Sequence, residues 1–485
     1  DIVYLELLGQ KIIVLNSTEA ASDLLNKRSA LYSNRPIIPM VTDPDLMNWS
    51  GNISLVPHND TWRLYRRIMN NWLNSRAVTQ FCVLQEQQTR QLLRELLKAT
   101  SHAQPFEYVK NRFFFSMGSL MLQLAYGYKP QTPQDNFFEE AQLAFHNVHV
   151  ASMQTSFLVN LFPVLSHIPD WFPGTGWKLT AREWRAQQNK AKTEPYEWLK
   201  SQVVSLTLFA RALSMHPTQK QIKYVKDNGT HQLSLLGPLL KDHVLLSDLS
   251  LTDRDERLKE IGIILFGGGT DTSANFLVNF VLAMVLNPHV QVNAQRELDA
   301  IIGRAVLPST SDKERLPYIR NLVDEVLRLY PILPLGLPHK CSQNDTYRDY
   351  SIEKGTIMQK LRYNTTLTSL TTRAIGRDPQ HYKDPEVFNP DRYLDPNVPR
   401  PPVFGWGRRK CPGIHFAENS TFVAAASLLA FFDFSKKKGS DMQEIVPQVE
   451  LERNSLILEL KPFEFELRPR SNEHQQVLIG IIEEQ

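Results

Sequence analysis

Apolar positions recur three and four residues apart over most of this chain, the spacing of one face of a helix, and alternate strictly only near its start. The alternating runs, Ile2 to Leu7 and Lys11 to Leu15, are split by Gly9 and predict a β-hairpin. Asn16 follows as the cap of a helix, with Glu19 at the reciprocal capping position. Residues 35–57 hold four prolines and read as a loop. Helical spacing then governs 85–99, 113–126, 194–202, 232–248, 257–286 and 319–330, and the apolar run from Ile414 to Phe434 predicts a buried helix. The pattern is that of a mainly α protein, a large helical bundle with a small β-rich region near the N-terminus.

Composition narrows this little. A chain of 485 residues with 42% apolar and 22% charged residues is ordinary for a globular protein, and a net charge of +3 gives no reason to expect nucleic acid as a partner. Three cysteines, Cys82, Cys341 and Cys411, without CxxC spacing argue against a disulfide framework or a zinc site and for a reducing or cytosol-facing location. No stretch approaches the length needed to span a bilayer, since the best apolar run, Phe276 to Leu286, is too short and carries Asn279.

Candidate chemistry concentrates in Phe404-Gly-Trp-Gly-Arg-Arg-Lys-Cys-Pro-Gly413. Cys411 stands behind Arg408, Arg409 and Lys410 and just ahead of an apolar helix, where dipole and cations both favour the thiolate. Gly405, Gly407 and Gly413 allow tight bends and leave one face of the sulfur open to something broad and flat. A second anomaly is the run Phe266-Gly-Gly-Gly-Thr-Asp-Thr-Ser273 inside a helical pattern, because each glycine there costs about 1 kcal/mol relative to alanine. Asp271 beside Thr272 makes a short path for protons. Trp62 and Arg66 lie one turn apart, an indole donor and a guanidinium suited to one carboxylate, although a basic surface helix with one buried Trp is the plainer account of that segment alone. Glu325 and Arg328 share a helix face at i, i+3, in isolation the mark of a weak surface pair.

The spacing Phe404-x-x-Gly407-x-Arg409-x-Cys411-x-Gly413 resembles the haem-binding loop of the cytochrome P-450 family, the haem-thiolate monooxygenases. The resemblance implies a single P-450 domain over 1–485, with Cys411 as the axial ligand of haem b iron and Arg409 on a haem propionate. Gly268-Gly269-x-Asp271-Thr272-Ser273 is similar to the family's dioxygen groove, where the aligned Asp271 and Thr272 serve proton delivery. Trp62 and Arg66 match the propionate-binding helix, and His339 stands where members carry a propionate-contacting His or Arg, though a lone His is more often structural. Glu325 and Arg328 match the structural ion pair, completed by Arg392.

The implied reaction inserts one oxygen atom of O2 into a lipophilic substrate, with electrons from NADPH through an NADPH–haemoprotein reductase and cytochrome b5 as a further donor. Arg408, Lys410 and Lys436 to Lys438 form either a docking patch for an acidic partner or a solvated charge run. The chain looks most like microsomal enzymes of fungal secondary metabolism, including those acting on O-methylsterigmatocystin, which implies the cytosolic face of the endoplasmic reticulum membrane and an anchor ahead of Asp1. The apolar stretch Phe157 to Phe172 matches the roof over the pocket, and equally suits a partner-binding or buried loop. Residues 206–230 and 359–371 have no counterpart in the family pattern and are expected to be insertions, such as retained introns. The rival readings are a haem-thiolate isomerase or peroxygenase, and a non-catalytic haem protein.

Overall fold

The computed structural model describes residues 2–153, 155–212, 234–241, 244–359, 375–452 and 456–483. The hairpin forms where the alternation puts it. Strand β1 (Ile2–Leu7) pairs antiparallel with β2 (Gln10–Leu15) through Leu8 and Gly9, at φ 51° and 77°, the left-handed pair of a primed turn. The helix cap falls one residue later than expected. Ser17, not Asn16, is extended at φ −122° and accepts the Ala20 amide at 3.2 Å, because a hydroxyl on a short side chain reaches the third amide of the helix. The proline-rich 35–57 segment is loop except for one helical turn, Pro39–Thr42.

Strands β3 (His339–Lys340) and β6 (Ile357–Gln359) complete a sheet of order β1-β2-β6-β3, with β2 parallel to β6 and His339 opposite Met358. The chain start is thus fastened to the segment that carries His339. Between them β4 (Asp345–Tyr347) and β5 (Tyr350–Ile352) form a separate hairpin. The helices are α1 (Asp60–Leu73), α2 (Cys82–Ala99), α3 (Phe106–Tyr126), α4 (Asn136–Ser152), α5 (Gly176–Ala212), α6 (Leu251–Leu286), α7 (Pro288–Ile301), α8 (Pro317–Leu329), α9 (Ile414–Phe431) and α10 (Asn472–Glu483).

Three boundaries differ from expectation. The apolar run after Ile414 splits, since α9 stops at Phe431 and β7 (Phe432–Ser435) pairs with β8 (Glu466–Pro469). A continuous apolar run does not distinguish buried helix from strand, and here Phe432 and Phe434 point inward on alternate positions. Residues 232–248 do not make one helix among the described residues: Leu236–Leu239 is a single turn containing Gly237 and Pro238, followed by a 3-10 turn at Val244–Leu246. Finally, α6 runs through its glycines and joins two apolar halves, so it is long and apolar enough to cross a membrane, yet 83% of that window is buried in the protein. It is a core helix. Of the two expected insertions, residues 206–212 extend α5 and Gln359 ends β6 opposite Val14, while 213–230 and 360–371 lie outside the described residues.

The chain divides into two compact units, one of residues 1–36, 73–116 and 272–485, the other of 37–72 and 117–271. In the first, α9 packs against α2, α7 and α8. The buried Gln85 amide of α2 donates to the Phe416 carbonyl at 3.0 Å and the Ser420 hydroxyl at 2.7 Å, fixing the helix that begins after Cys411. In the second, α4 lies along α5, and α5 is tied to α6 by a buried Lys192–Glu260 pair at 2.9 Å and by Tyr196 and Lys200 on Asp255 at 2.7 and 2.8 Å.

Candidate active site

In the first unit the Cys411 loop is closed by its own backbone: the Cys411 amide donates to the Phe404 carbonyl at 2.8 Å, and a 3-10 turn spans Gly407–Arg409. Two of its glycines are conformational requirements, with φ 78° at Gly405 and 54° at Gly407. Gly407 is required twice over, because a Cβ there would lie 1.9 Å from the Leu25 carbonyl oxygen. Its amide donates to Asn26 Oδ1 at 2.5 Å, seating the loop on the N-terminal segment. Gly413 has an ordinary backbone, φ −91°, so its part is space: a Cβ there would lie 3.9 Å from Cys411 Sγ. Cys411 is half-buried and outside any disulfide.

Arg409 Nε donates to the Ser33 carbonyl at 2.8 Å. Arg35, which nothing in the sequence pattern marked, donates to the carbonyls of Leu337 and Pro338 at 3.0 and 2.7 Å. Desolvation, with the charge of Arg409 beside it, pulls the Arg35 guanidinium down to about 9. A desolvated guanidinium with a second cation near it favours an anion. His339 follows directly, and its Nδ1–H donates to the Tyr32 carbonyl at 2.7 Å, which sets the ring orientation.

The Glu325–Arg328 pair is buried, not a surface bridge. Both residues are at most 1% exposed, and Arg328 donates from Nε and a terminal nitrogen to the two Glu325 oxygens, each at 2.8 Å. Arg392 Nε donates to the same carboxylate at 3.0 and 3.1 Å, so the expected third member is in place. Arg328 also donates to the carbonyls of Gly376 and Pro385, both at 2.6 Å, and of Val387 at 3.2 Å. One side chain thereby pins the chain between α8 and the Cys411 loop.

In the second unit the α6 glycines separate by role. A Cβ on Gly267 would lie 2.1 Å from the Phe145 ring, and one on Gly269 would lie 2.0 Å from Met121 Sδ, so these two admit neighbouring helices. Nothing lies within 4 Å of a Cβ built on Gly268, the one of the three that opens onto space. Asp271 is buried and Thr272 follows it, the division between the two units falling between them. His149 Nδ1 lies 3.8 Å from Asp271 Oδ2. Trp62 is buried on α1, and the Arg66 guanidinium lies 5.8 Å over its ring.

Burial, with the nearby His146 charge, pushes His149 from 6.5 down to about 4. The unfolded chain therefore binds a proton at this imidazole below about pH 6.5 that the folded chain refuses until about 4. Stability is lost as pH falls through that window. His149→Gln is expected to flatten the acid side of a Tm-against-pH curve between those limits; an unchanged curve would contradict the shift.

These residues fit a haem. The Cys411 sulfur is a ligand suited to the iron of a flat prosthetic group. The small Gly413 beside Sγ leaves room for a flat one, and the Arg35–Arg409 pair suits its carboxylates. The first unit brings together Phe404, Gly407, Arg409, Cys411, Gly413 and His339, and also carries Thr272; Trp62, Arg66 and Asp271 belong to the second.

The family model described as Cytochrome P450 matches residues 1–466. A cytochrome P450 monooxygenase of Armillaria gallica is 32% identical over 97% of this chain and 85% of its own length, and cytochrome P450 monooxygenase 98 of Postia placenta is 32% identical over 99% and 86%. A zebra fish cytochrome P450 solved with abiraterone superposes with a TM-score of 0.72 at 19% identity, covering 97% of this chain and 96% of that one, which shows the shared mainly α fold. Matched by the family model over residues 1–466 and by fungal monooxygenases over nearly all of its own length, this chain belongs to the cytochrome P450 family and is a haem-thiolate monooxygenase.

Proposed function

We propose that Cys411 is the axial thiolate, that Arg409 and His339 hold haem propionates with Phe404, Gly407 and Gly413 shaping the loop, and that Asp271 and Thr272 deliver protons. Bound haem supplies the oxygen activation. The chain's part is to present a thiolate, exclude water and move protons. The observation that carries the reading is the Cys411 loop, whose two left-handed glycines hold a half-buried thiol ahead of α9 and place Arg409 beside Arg35. Trp62 and Arg66 are assigned to the propionates by the family likeness, and their stacking supports a shared orientation. The test is the reduced-plus-CO difference spectrum of haem-supplied protein, followed by NADPH-driven turnover with a reductase. A thiolate-type band and product formation are expected; an imidazole-type band would overturn the assignment of Cys411.

Electrons are assigned to an NADPH–haemoprotein reductase, with cytochrome b5 as a second donor. Exposed Arg408 and Lys410, with Lys436 to Lys438, are the cations assigned to docking an acidic partner, and Lys436 and Lys437 pair with Glu444 and Glu464 at 2.9 and 2.8 Å. Attachment to the cytosolic face of the endoplasmic reticulum membrane is supported by the exposed apolar side chains of Leu158, Phe162, Val164, Trp171 and Phe172. Replacing Trp171 and Phe172 by serine is expected to weaken co-flotation with phospholipid vesicles, and undiminished flotation would remove this segment from the membrane contact. A lipophilic substrate fits that location. The enzyme as one domain over 1–485 is supported by a single family model spanning residues 1–466.

A further inference from the structure

Resting on the assignment of Asp271 as the proton-delivering acid, we infer that His149 is its positioning residue, steering the carboxyl and returning protons to it from the solvent side. The contact is built by helix register. The Phe145 ring of α4 fills the place where a Gly267 side chain would stand on α6, 2.1 Å from the position of its Cβ. Four residues further along both helices, His149 Nδ1 faces Asp271 Oδ2 at 3.8 Å. Trp49 at 5.3 Å and Phe266 at 6.3 Å hold Phe145 from other sides, so the ring that sets the register is itself fixed. A side chain on Gly267 would expel that ring and carry His149 away from the acid.

Among the described residues, Asp271 faces the imidazole from α6, with His146 and the Phe145 ring at 6.2 Å on its own helix. Burial holds the ring neutral at pH 7. A permanent imidazolium would keep Asp271 ionised and unable to give a proton, whereas a neutral imidazole has one N–H to offer and one lone pair to refill. In the step, the Nδ1–H bond breaks and its proton forms an O–H bond at Asp271 Oδ2. Nε2 takes a proton from hydronium on the solvent side, releasing water. The ring ends neutral in its other tautomer, and turning over resets it. The 3.8 Å gap closes by a small side-chain rotation or is bridged by one water. His149 is suited to the connection because its side chain is 18% exposed where that of Asp271 is 9%, and the neighbouring His146 is exposed.

The test uses haem-loaded enzyme with NADPH and reductase. His149→Phe, and the milder His149→Gln, which bonds but cannot relay, are expected to lower the fraction of NADPH ending in product several-fold and to raise the solvent isotope effect, with the CO spectrum unchanged. The double variant with Asp271→Asn should be no worse than Asp271→Asn alone. Independently of turnover, the nitrogen resonances of His149 should move in Asp271→Asn. If Asp271→Asn leaves coupling intact, the acid's assignment fails and the inference with it. If Asp271→Asn uncouples while both His149 variants stay coupled, or if the losses add, the inference alone is overturned.

Discussion

Arg328→Ala is expected to leave little or no soluble, haem-binding protein, an effect on folding rather than on turnover. The guanidinium is fully buried and carries five hydrogen bonds, two to Glu325 and three to the carbonyls of Gly376, Pro385 and Val387. Its removal takes a donor from the carbonyls of Gly376, Pro385 and Val387, of which Val387 keeps Arg392 at 2.8 Å, and leaves Glu325 with half its countercharge. Breaking one side of a buried ion pair costs about 3–5 kcal/mol, out of a total of about 5–15 kcal/mol for a typical protein. Arg328→Lys does not restore the arrangement, since an ammonium has three donors and no planar fork. Gly376 packs so closely that a Cβ there would lie 2.9 Å from the Arg328 carbonyl oxygen, and Tyr382 stacks 5.2 Å from the guanidinium, leaving no slack for a different side chain. Soluble yield, thermal melting and the CO spectrum measure the outcome. A variant that melts with the parent and binds haem normally would show that the triad is dispensable.

Cys411→His is expected to keep haem and lose monooxygenation, and Cys411→Ala to lose the thiolate spectrum altogether. The reason lies in what replaces the sulfur. An imidazole binds iron without the electron donation that favours O–O cleavage, and alanine binds nothing. Neither of the other thiols is placed to substitute. Cys341 is 1% exposed, burial pushes its thiol up, and its Sγ donates to the Gln343 carbonyl at 2.9 Å. Cys82 opens α2, a helix secured to α9 by Gln85. Retention of a thiolate-type CO band in Cys411→Ala would mean the wrong sulfur had been identified. Gly407→Ala is a related but separate lesion, since it drives a methyl into the Leu25 carbonyl and displaces the loop from its support.

Some of this was decided along the chain alone. The hairpin at Gly9, the helical spacing, the Cys411 loop and the Glu325–Arg328 pair are local patterns, each readable within a few residues because turn sterics and helix faces act at short range. The family likeness followed from those same local motifs. What the linear pattern could not resolve depends on which distant segments meet. Along the chain the three glycines stand out alike as costly residues in a helix, and only the folded chain shows that Phe145 and Met121 fill the space beside Gly267 and Gly269 while Gly268 stays open. The strand after Phe431 exists because β8 pairs with it, and Arg35 matters because Arg409 lies beside it. His149 had no mark at all in the sequence; its place opposite Asp271 is set by how α4 seats on α6. Local patterns choose the elements and the reactive groups, but packing across long sequence separations chooses their neighbours, and a side chain's protonation and reach are properties of those neighbours.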